Sequence, residues 1–424
     1  MTLIDKSPAI PGHRSRGVTL SALALAAGLI AQTPARAQDE NWVGTWTANP
    51  QPVWGGGFAL PTKIPATVRD QTIRQSVRIS LGGSRLRFVF SNAYGSGPLV
   101  IGAASVAMPG QSNSRDATHK LTFGGKDGIS IPAGSPAVSD PVDLNAEAQA
   151  QMDVSVYLPD ETPLTTFHWD GRQTARFGKG DLTRATDFPS IGTTDARIFL
   201  SEVLVDSPNQ GAVAVIGDSI TDGNGSTLDA DARWPDLLGR RLASRHVAVL
   251  NAGISGARLL SDGMGVSAVA RIGRDVLAEP NVKAVIVLIG INDIAWPGTA
   301  FARQQAQPNF DALIAGYQQL VALAHAHNVR VVGATLTPFE GALSGTPLGD
   351  YYDPEKDALR QQVNHWIRES GAFDAVVDFD ATLRDPSHPS RLAPALDSGD
   401  HLHPGDRGSR TMADAVDIDA MLGR

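Results

Sequence analysis

The chain changes its hydrophobic rhythm near its midpoint. From about Asn41 to Val205 apolar residues tend to fall at alternate positions. Leu86, Phe88 and Phe90 alternate with Arg85, Arg87 and Val89. Val154, Val156 and Leu158 alternate with Asp153, Ser155 and Tyr157, and the run Ile73 to Ile79 shows the same habit late in its length. A period of two puts such residues on one face of a sheet. Turn clusters such as Gly82-Gly83-Ser84 and Gly95-Ser96-Gly97-Pro98 separate the runs, and short strands between frequent turns predict a β-sandwich or jelly-roll-like domain.

After Pro208 the apolar positions become continuous. Short runs occur at 211–216, 247–250, 282–289, 329–332 and 375–377, separated by helix-compatible segments at 234–244, 310–327 and 354–370. Fully apolar strands alternating with helices predict a parallel sheet covered on both faces. The expectation is an α/β domain, a three-layer doubly wound parallel sheet over residues 209–424, preceded by a β-rich domain over 38–208. Ligands of such sheets sit beyond the carboxyl ends of the strands.

Residues 1–37 have a different character. Arg14 and Arg16 precede an uncharged apolar run from Val18 to Ala31, and Ala35-Arg36-Ala37 follows. This order reads as a signal peptide cleaved after Ala37, so the mature chain is expected to be exported, to the periplasm or beyond the cell. The run is shorter than the roughly 20 residues of a spanning helix, and no stable membrane insertion is expected. Over 424 residues, 42% hydrophobic and 19% charged side chains provide for a large core. The formal charge of −8 becomes −11 once Lys6, Arg14, Arg16, Arg36 and Asp5 are removed, which argues against nucleic acid as a partner. The chain has no cysteine, which excludes disulfides, thiolate metal sites and a cysteine nucleophile.

Three short motifs fall just past continuous apolar runs, and a fourth lies near the end of the chain. Gly217-Asp218-Ser219 follows the first and would expose a serine hydroxyl. Leu250-Asn251-Ala252-Gly253 follows the second, and a glycine there can bring its N–H close to a ligand. Gly290-Ile291-Asn292-Asp293 follows the third and offers an amide donor. Near the end, Asp400-His401-Leu402-His403-Pro404 places a carboxylate three residues before a histidine. From one loop Asp400 can reach Nδ1 of His403 and leave Nε2 free to take a proton from a serine. Asp385-Pro386-Ser387-His388-Pro389 repeats that spacing, but three prolines surround it. The later copy leads into a plausible helix at 409–421 and is preferred; His401 is a second competitor. His325 and His327 would diverge by about 200° on a helix, so they do not suggest a metal. No cofactor or metal is called for.

Taken in order, Gly217-Asp218-Ser219, Gly253, Gly290-Ile291-Asn292-Asp293 and Asp400-His401-Leu402-His403 resemble the SGNH/GDSL hydrolase family. The resemblance spans about 185 residues, from Gly217 to His403. It implies a flavodoxin-like sheet and a serine esterase in which Ser219 attacks the acyl carbonyl. His403 would be its base, Asp400 would orient His403, and Ser219, Gly253 and Asn292 would form the oxyanion hole. Segments such as Asn41-Trp42-Val43-Gly44-Thr45-Trp46 and Ser91-Asn92-Ala93-Tyr94-Gly95 are similar to the two-domain arylesterase and acetylesterase-like branch. The expected reaction is hydrolysis of short-chain acyl esters, acetyl above all, on a small molecule or a plant polysaccharide such as acetylated xylan. The alternatives are a lysophospholipase or thioesterase acting on lipid acyl chains, and a catalytically silent carbohydrate-binding protein. His168, Trp169 and Arg172 could reach the site from the β-rich half, although internal contacts are the plainer reading.

Overall fold

A computed structural model describes residues 41–109, 118–207 and 211–424. The expected signal peptide and the expected boundary after Pro208 lie outside the described residues.

The continuous apolar runs form five parallel strands: Gly211–Gly217, Val247–Gly253, Val282–Leu288, Arg330–Ala334 and Ala375–Val377. Numbered along the chain, they lie in the order second, first, third, fourth, fifth, the flavodoxin-like arrangement. Ala212 to Ile216 are fully buried, as expected of a central strand covered on both faces. The chain leaves the first strand toward one neighbour and later returns to the other. Right-handed crossovers then send the helices to opposite faces. Helix Trp234–Leu242 packs with Asp406–Ala415, while Phe310–Ala326 packs with Pro354–Glu369 and Ala268–Ile272. The crevice opened by this reversal lies at the carboxyl end of the first strand, where Gly217 leads into Ser219.

The two larger sheets of the β-rich half are antiparallel. One runs Trp42–Thr47, Leu200–Asp206, Gly83–Ser91, Pro136–Val138, with Val142–Ala146 also paired to Gly83–Ser91. The other runs Ser190–Thr194, Ala175–Lys179, Gln71–Arg78, Gln151–Leu158, Ala103–Ala107, Thr118–Leu121. Leu86, Phe88, Phe90, Val154, Val156 and Leu158 are buried, as their alternation requires. These strand orders of five and six do not establish a jelly roll.

The described residues cluster as one compact unit, and the reason is visible at the edge of the parallel sheet. Val247–Gly253 is an edge strand whose outer backbone groups need partners. Ser80 Oγ accepts from Val249 N (3.0 Å) while donating to Thr45 O (2.8 Å), and Thr47 Oγ1 donates to Asn251 O (3.1 Å). The β-rich half thus caps the edge of the parallel sheet.

The single helix expected at 409–421 is two helices, Asp406–Ala415 and Ile418–Leu422. Asp417 causes the break. Its carboxylate accepts from the N–H groups of Asp419 and Ala420 and so caps a new helix.

Candidate active site

Ser219 opens a one-turn helix, Ser219–Asp222, directly after the first parallel strand. Asp218 caps it by accepting from Ile220 N at 3.0 Å. Ser219 is the first residue of this turn, so its N–H has no acceptor inside the helix. The Ser219 hydroxyl donates to His403 Nε2 at 2.8 Å. His403 Nδ1 donates to Asp400 Oδ2 at 2.6 Å. The other carboxylate oxygen accepts from the N–H groups of Leu402 (3.0 Å) and His403 (2.8 Å). Asp400, Leu402 and His403 are therefore locked as one turn. Burial would raise the Asp400 carboxyl, but the hydrogen bond and charge of His403, together with the two N–H groups, hold it well below the usual carboxylate range.

The competing histidines point elsewhere. His388 is largely exposed and lies 4.0 Å from Asp385. His401 is half exposed and binds Asp397 at 2.6 Å.

Asn292 sits at the start of helix Ile291–Ala295, past the third parallel strand. Its Nδ2 donates to Ala257 O (2.9 Å), and its Oδ1 accepts from the Tyr351 hydroxyl (2.6 Å). These two bonds fix which way the amide faces and leave its second N–H available. Tyr351 comes from the irregular stretch before helix Pro354–Glu369. Buried Lys356 pins that stretch by donating to Ala295 O (2.9 Å), Asp350 O (2.9 Å) and Tyr351 O (3.3 Å).

The expectation for Gly253 is not met. The second strand runs through Asn251 to Gly253 itself, and Gly253 N donates to the Asn251 side chain at 2.9 Å. A Cβ at Gly253 would strike the backbone of Asp222 at 2.4 Å, so this glycine permits the one-turn helix to pack on the strand. The loop turns three residues later. Gly256 has φ +71° and approaches Met264 and Trp296 so closely that a Cβ would lie within 3 Å of both side chains. Gly256, not Gly253, lines the same cavity as Ser219, Asn292 and His403.

The loop carrying Gly256 is held from three sides. Asp222 accepts from Ser255 N (2.8 Å) and Ser255 Oγ (2.7 Å). Asn292 binds Ala257. Asp293 accepts from the N–H groups of Leu259 (2.6 Å) and Leu260 (2.9 Å), while burial pushes its carboxyl up to about 6. Buried Arg271 lies beneath, donating to Gly217 O (2.9 Å) and Ala252 O (2.7 Å) and so tying the first two strand ends together.

The cavity has a volume of about 180 Å³, below the roughly 300–1,000 Å³ of ordinary small-molecule pockets. Its walls are mostly apolar. Trp296, Leu343 and Tyr351 come from the α/β half, and Leu60 and Trp169 from the β-rich half. Trp169 Nε1 donates to Pro61 O at 2.9 Å, which ties it to the loop carrying Leu60. Arg172 lies outside this wall and donates to Ser226 O.

The site holds a hydroxyl hydrogen-bonded to an imidazole, that imidazole hydrogen-bonded to a carboxylate, and amide donors beside the hydroxyl. This arrangement can activate a serine for acyl transfer and receive negative charge on an oxygen.

Residues 215–411 match the family of GDSL-like lipases and acylhydrolases. No curated protein matches the chain. Among solved structures, a lipase/acylhydrolase from Enterococcus faecalis is 19% identical, with coverage of 48% of this chain and 92% of that one and a TM-score of 0.37. TesA is 22% identical over 48% and 95% of the two chains, with a TM-score of 0.36. An acetyl xylan esterase, AlAXEase, is 20% identical over 48% and 96%, with a TM-score of 0.33. Residues 215–411 form a GDSL-like lipase/acylhydrolase domain.

Proposed function

We propose that the protein is a serine esterase that removes short acyl groups, acetyl above all, from bulky alcohols such as acetylated plant polysaccharide. In this reading Ser219 attacks the ester carbonyl while His403 takes its proton. The tetrahedral oxyanion is received by the N–H groups of Ser219 and Gly256 and by the free N–H of Asn292. His403 then protonates the leaving alcohol, water repeats the cycle on the acyl-enzyme, and Asp400 holds the imidazole and stabilises its charged form. The segment 1–37 would export the chain to the periplasm or beyond it.

The observation that carries the reading is the hydrogen-bonded line from Asp400 through His403 to Ser219, which ends at a cavity of only about 180 Å³ walled by Trp169, Trp296 and Tyr351. A short acyl group suits that volume better than a fatty chain, and a bulky alcohol would remain outside it.

The test is a series of p-nitrophenyl esters of increasing acyl length, together with acetylated xylan, with released acid measured directly. Turnover highest for acetate and falling steeply with chain length supports the reading. A preference for long acyl chains would instead favour a lipid substrate, and tight glycan binding without turnover would overturn the enzymatic reading.

A further inference from the structure

His168 lies in the β-rich half, on strand Thr166–His168, and is buried against the nucleophile helix. Its Nδ1 is 3.1 Å from Asn49 O, and its Nε2 is 2.7 Å from Asp222 Oδ1. A backbone carbonyl and a carboxylate are both acceptors, so the ring satisfies both only as a doubly protonated imidazolium. Asp222 is itself buried and closes the Ser219–Asp222 turn. Its other oxygen takes both the N–H and the hydroxyl of Ser255, the residue before Gly256. One carboxylate thus joins the turn bearing the nucleophile to the loop bearing the Gly256 amide, and its counter-charge comes from the other half of the chain.

We infer that His168 is a positioning residue for the oxyanion site: its charge compensates Asp222 and so lets Asp222 hold Ser255 and Gly256 in register with Ser219. This rests on the serine-esterase reading above. It also gives the β-rich half a part in the chemistry besides walling the cavity. Arg233 and Arg271, both buried, also attract Asp222, but His168 is the cationic ring that hydrogen-bonds it. Arg233, across the pair, is committed to Asp236 through bonds of 2.8 and 2.9 Å and repels His168. Arg172 is 3.6 Å from Asp170, and Asp170 is buried with both carboxylate oxygens lacking a hydrogen-bond partner. Burial opposes the imidazolium, yet the charge and hydrogen bond of Asp222 raise the His168 pKa above its ordinary value.

Removing one partner of a buried pair strands the other charge, whereas neutralising both does not. In His168→Gln the stranded Asp222 should take up a proton or turn toward water, which weakens its hold on Ser255. We expect kcat on p-nitrophenyl acetate to fall about 100-fold, the scale of losing one oxyanion donor, with KM changed little. Inhibition by a trifluoromethyl ketone, which mimics the tetrahedral intermediate, should weaken in step with kcat. The double variant His168→Gln/Asp222→Asn should regain most of that loss. A His168→Gln enzyme as fast as wild type, or a double variant slower than the single one, overturns the inference. Absence of turnover in the wild type would overturn the esterase reading instead, so the two failures are distinguishable. Nitrogen chemical shifts of the His168 ring in the wild-type protein at about pH 6.5, its ordinary midpoint, give a second readout that needs no variant. Both nitrogens protonated supports the inference, and a neutral ring overturns it.

Discussion

Asp400→Asn tests how the loop fixes the protonation of the base. In the wild type, one carboxylate oxygen accepts from Leu402 N and His403 N, and the other faces His403 Nδ1 at 2.6 Å. An asparagine must keep its carbonyl oxygen toward the two backbone N–H groups, because an NH₂ there would set donor against donor. Its NH₂ therefore faces His403 Nδ1, which can then only accept. The ring proton moves to Nε2, and Nε2 can no longer take the proton of Ser219. The fold loses little, since both N–H groups keep an acceptor. The expected result is a fall in kcat of about 10³–10⁴-fold, or roughly 4–5.5 kcal/mol in activation free energy. KM should stay within a few-fold and the melting temperature within a few degrees. The assay is steady-state hydrolysis of p-nitrophenyl acetate beside a thermal melt. A folded Asp400→Asn enzyme within tenfold of wild-type kcat would refute the reasoning.

Three further predictions address other parts of the site. His403→Ala should abolish hydrolysis while His388→Ala stays near wild type in the same assay, because only His403 reaches Ser219. Tyr351→Phe leaves Asn292 Oδ1 buried without its donor, a cost of about 1–3 kcal/mol. It should lower kcat about five- to tenfold through a less well fixed amide, whereas Asn292→Ala, which removes a donor outright, should cost about 100-fold or more. Burial pushes the Asp218 carboxyl up to about 7 from its ordinary value of 3.8. A raised carboxyl contributes stability that is full below about pH 4 and lost as the pH climbs through 7, a change on the order of 4 kcal/mol. Thermal melts across that window should therefore fall less in Asp218→Asn than in wild type, and parallel curves would disprove the assignment.

The sequence reveals the parts of the site whose position depends on a short contiguous motif at a strand end. Ser219 and Asn292 follow apolar runs whose ends match the observed strands closely, and Asp400 and His403 share one turn. Gly253 illustrates where this reasoning fails. Polar Asn251 looks like the end of the second strand, but it is buried within the strand. Its side chain folds back onto Gly253 N and Thr221 O, so the turn, and the glycine that faces the cavity, come later. Tyr351 lies in a stretch with no periodicity, and nothing local marks it as a partner of Asn292. Arg271 sits on a five-residue helix that runs into a π-helical turn, too short for a periodic signal. The contributions of Leu60, Trp169 and His168 depend on the β-rich half docking against the parallel sheet. The residues that make that contact lie far apart along the chain, 54 positions for His168 and Asp222 and 204 for Thr47 and Asn251, separations that local patterning does not encode.

The central claim is that Ser219, activated by His403, forms the acyl-enzyme. Its most direct test is reaction of the wild-type protein with a fluorophosphonate, followed by intact-mass and peptide mapping. The account predicts a single adduct on the peptide containing Ser219, loss of esterase activity in proportion to labelling, and no adduct in Ser219→Ala. An active protein whose adduct lies on another residue, or a Ser219→Ala variant that still hydrolyses p-nitrophenyl acetate at the wild-type rate, would contradict it.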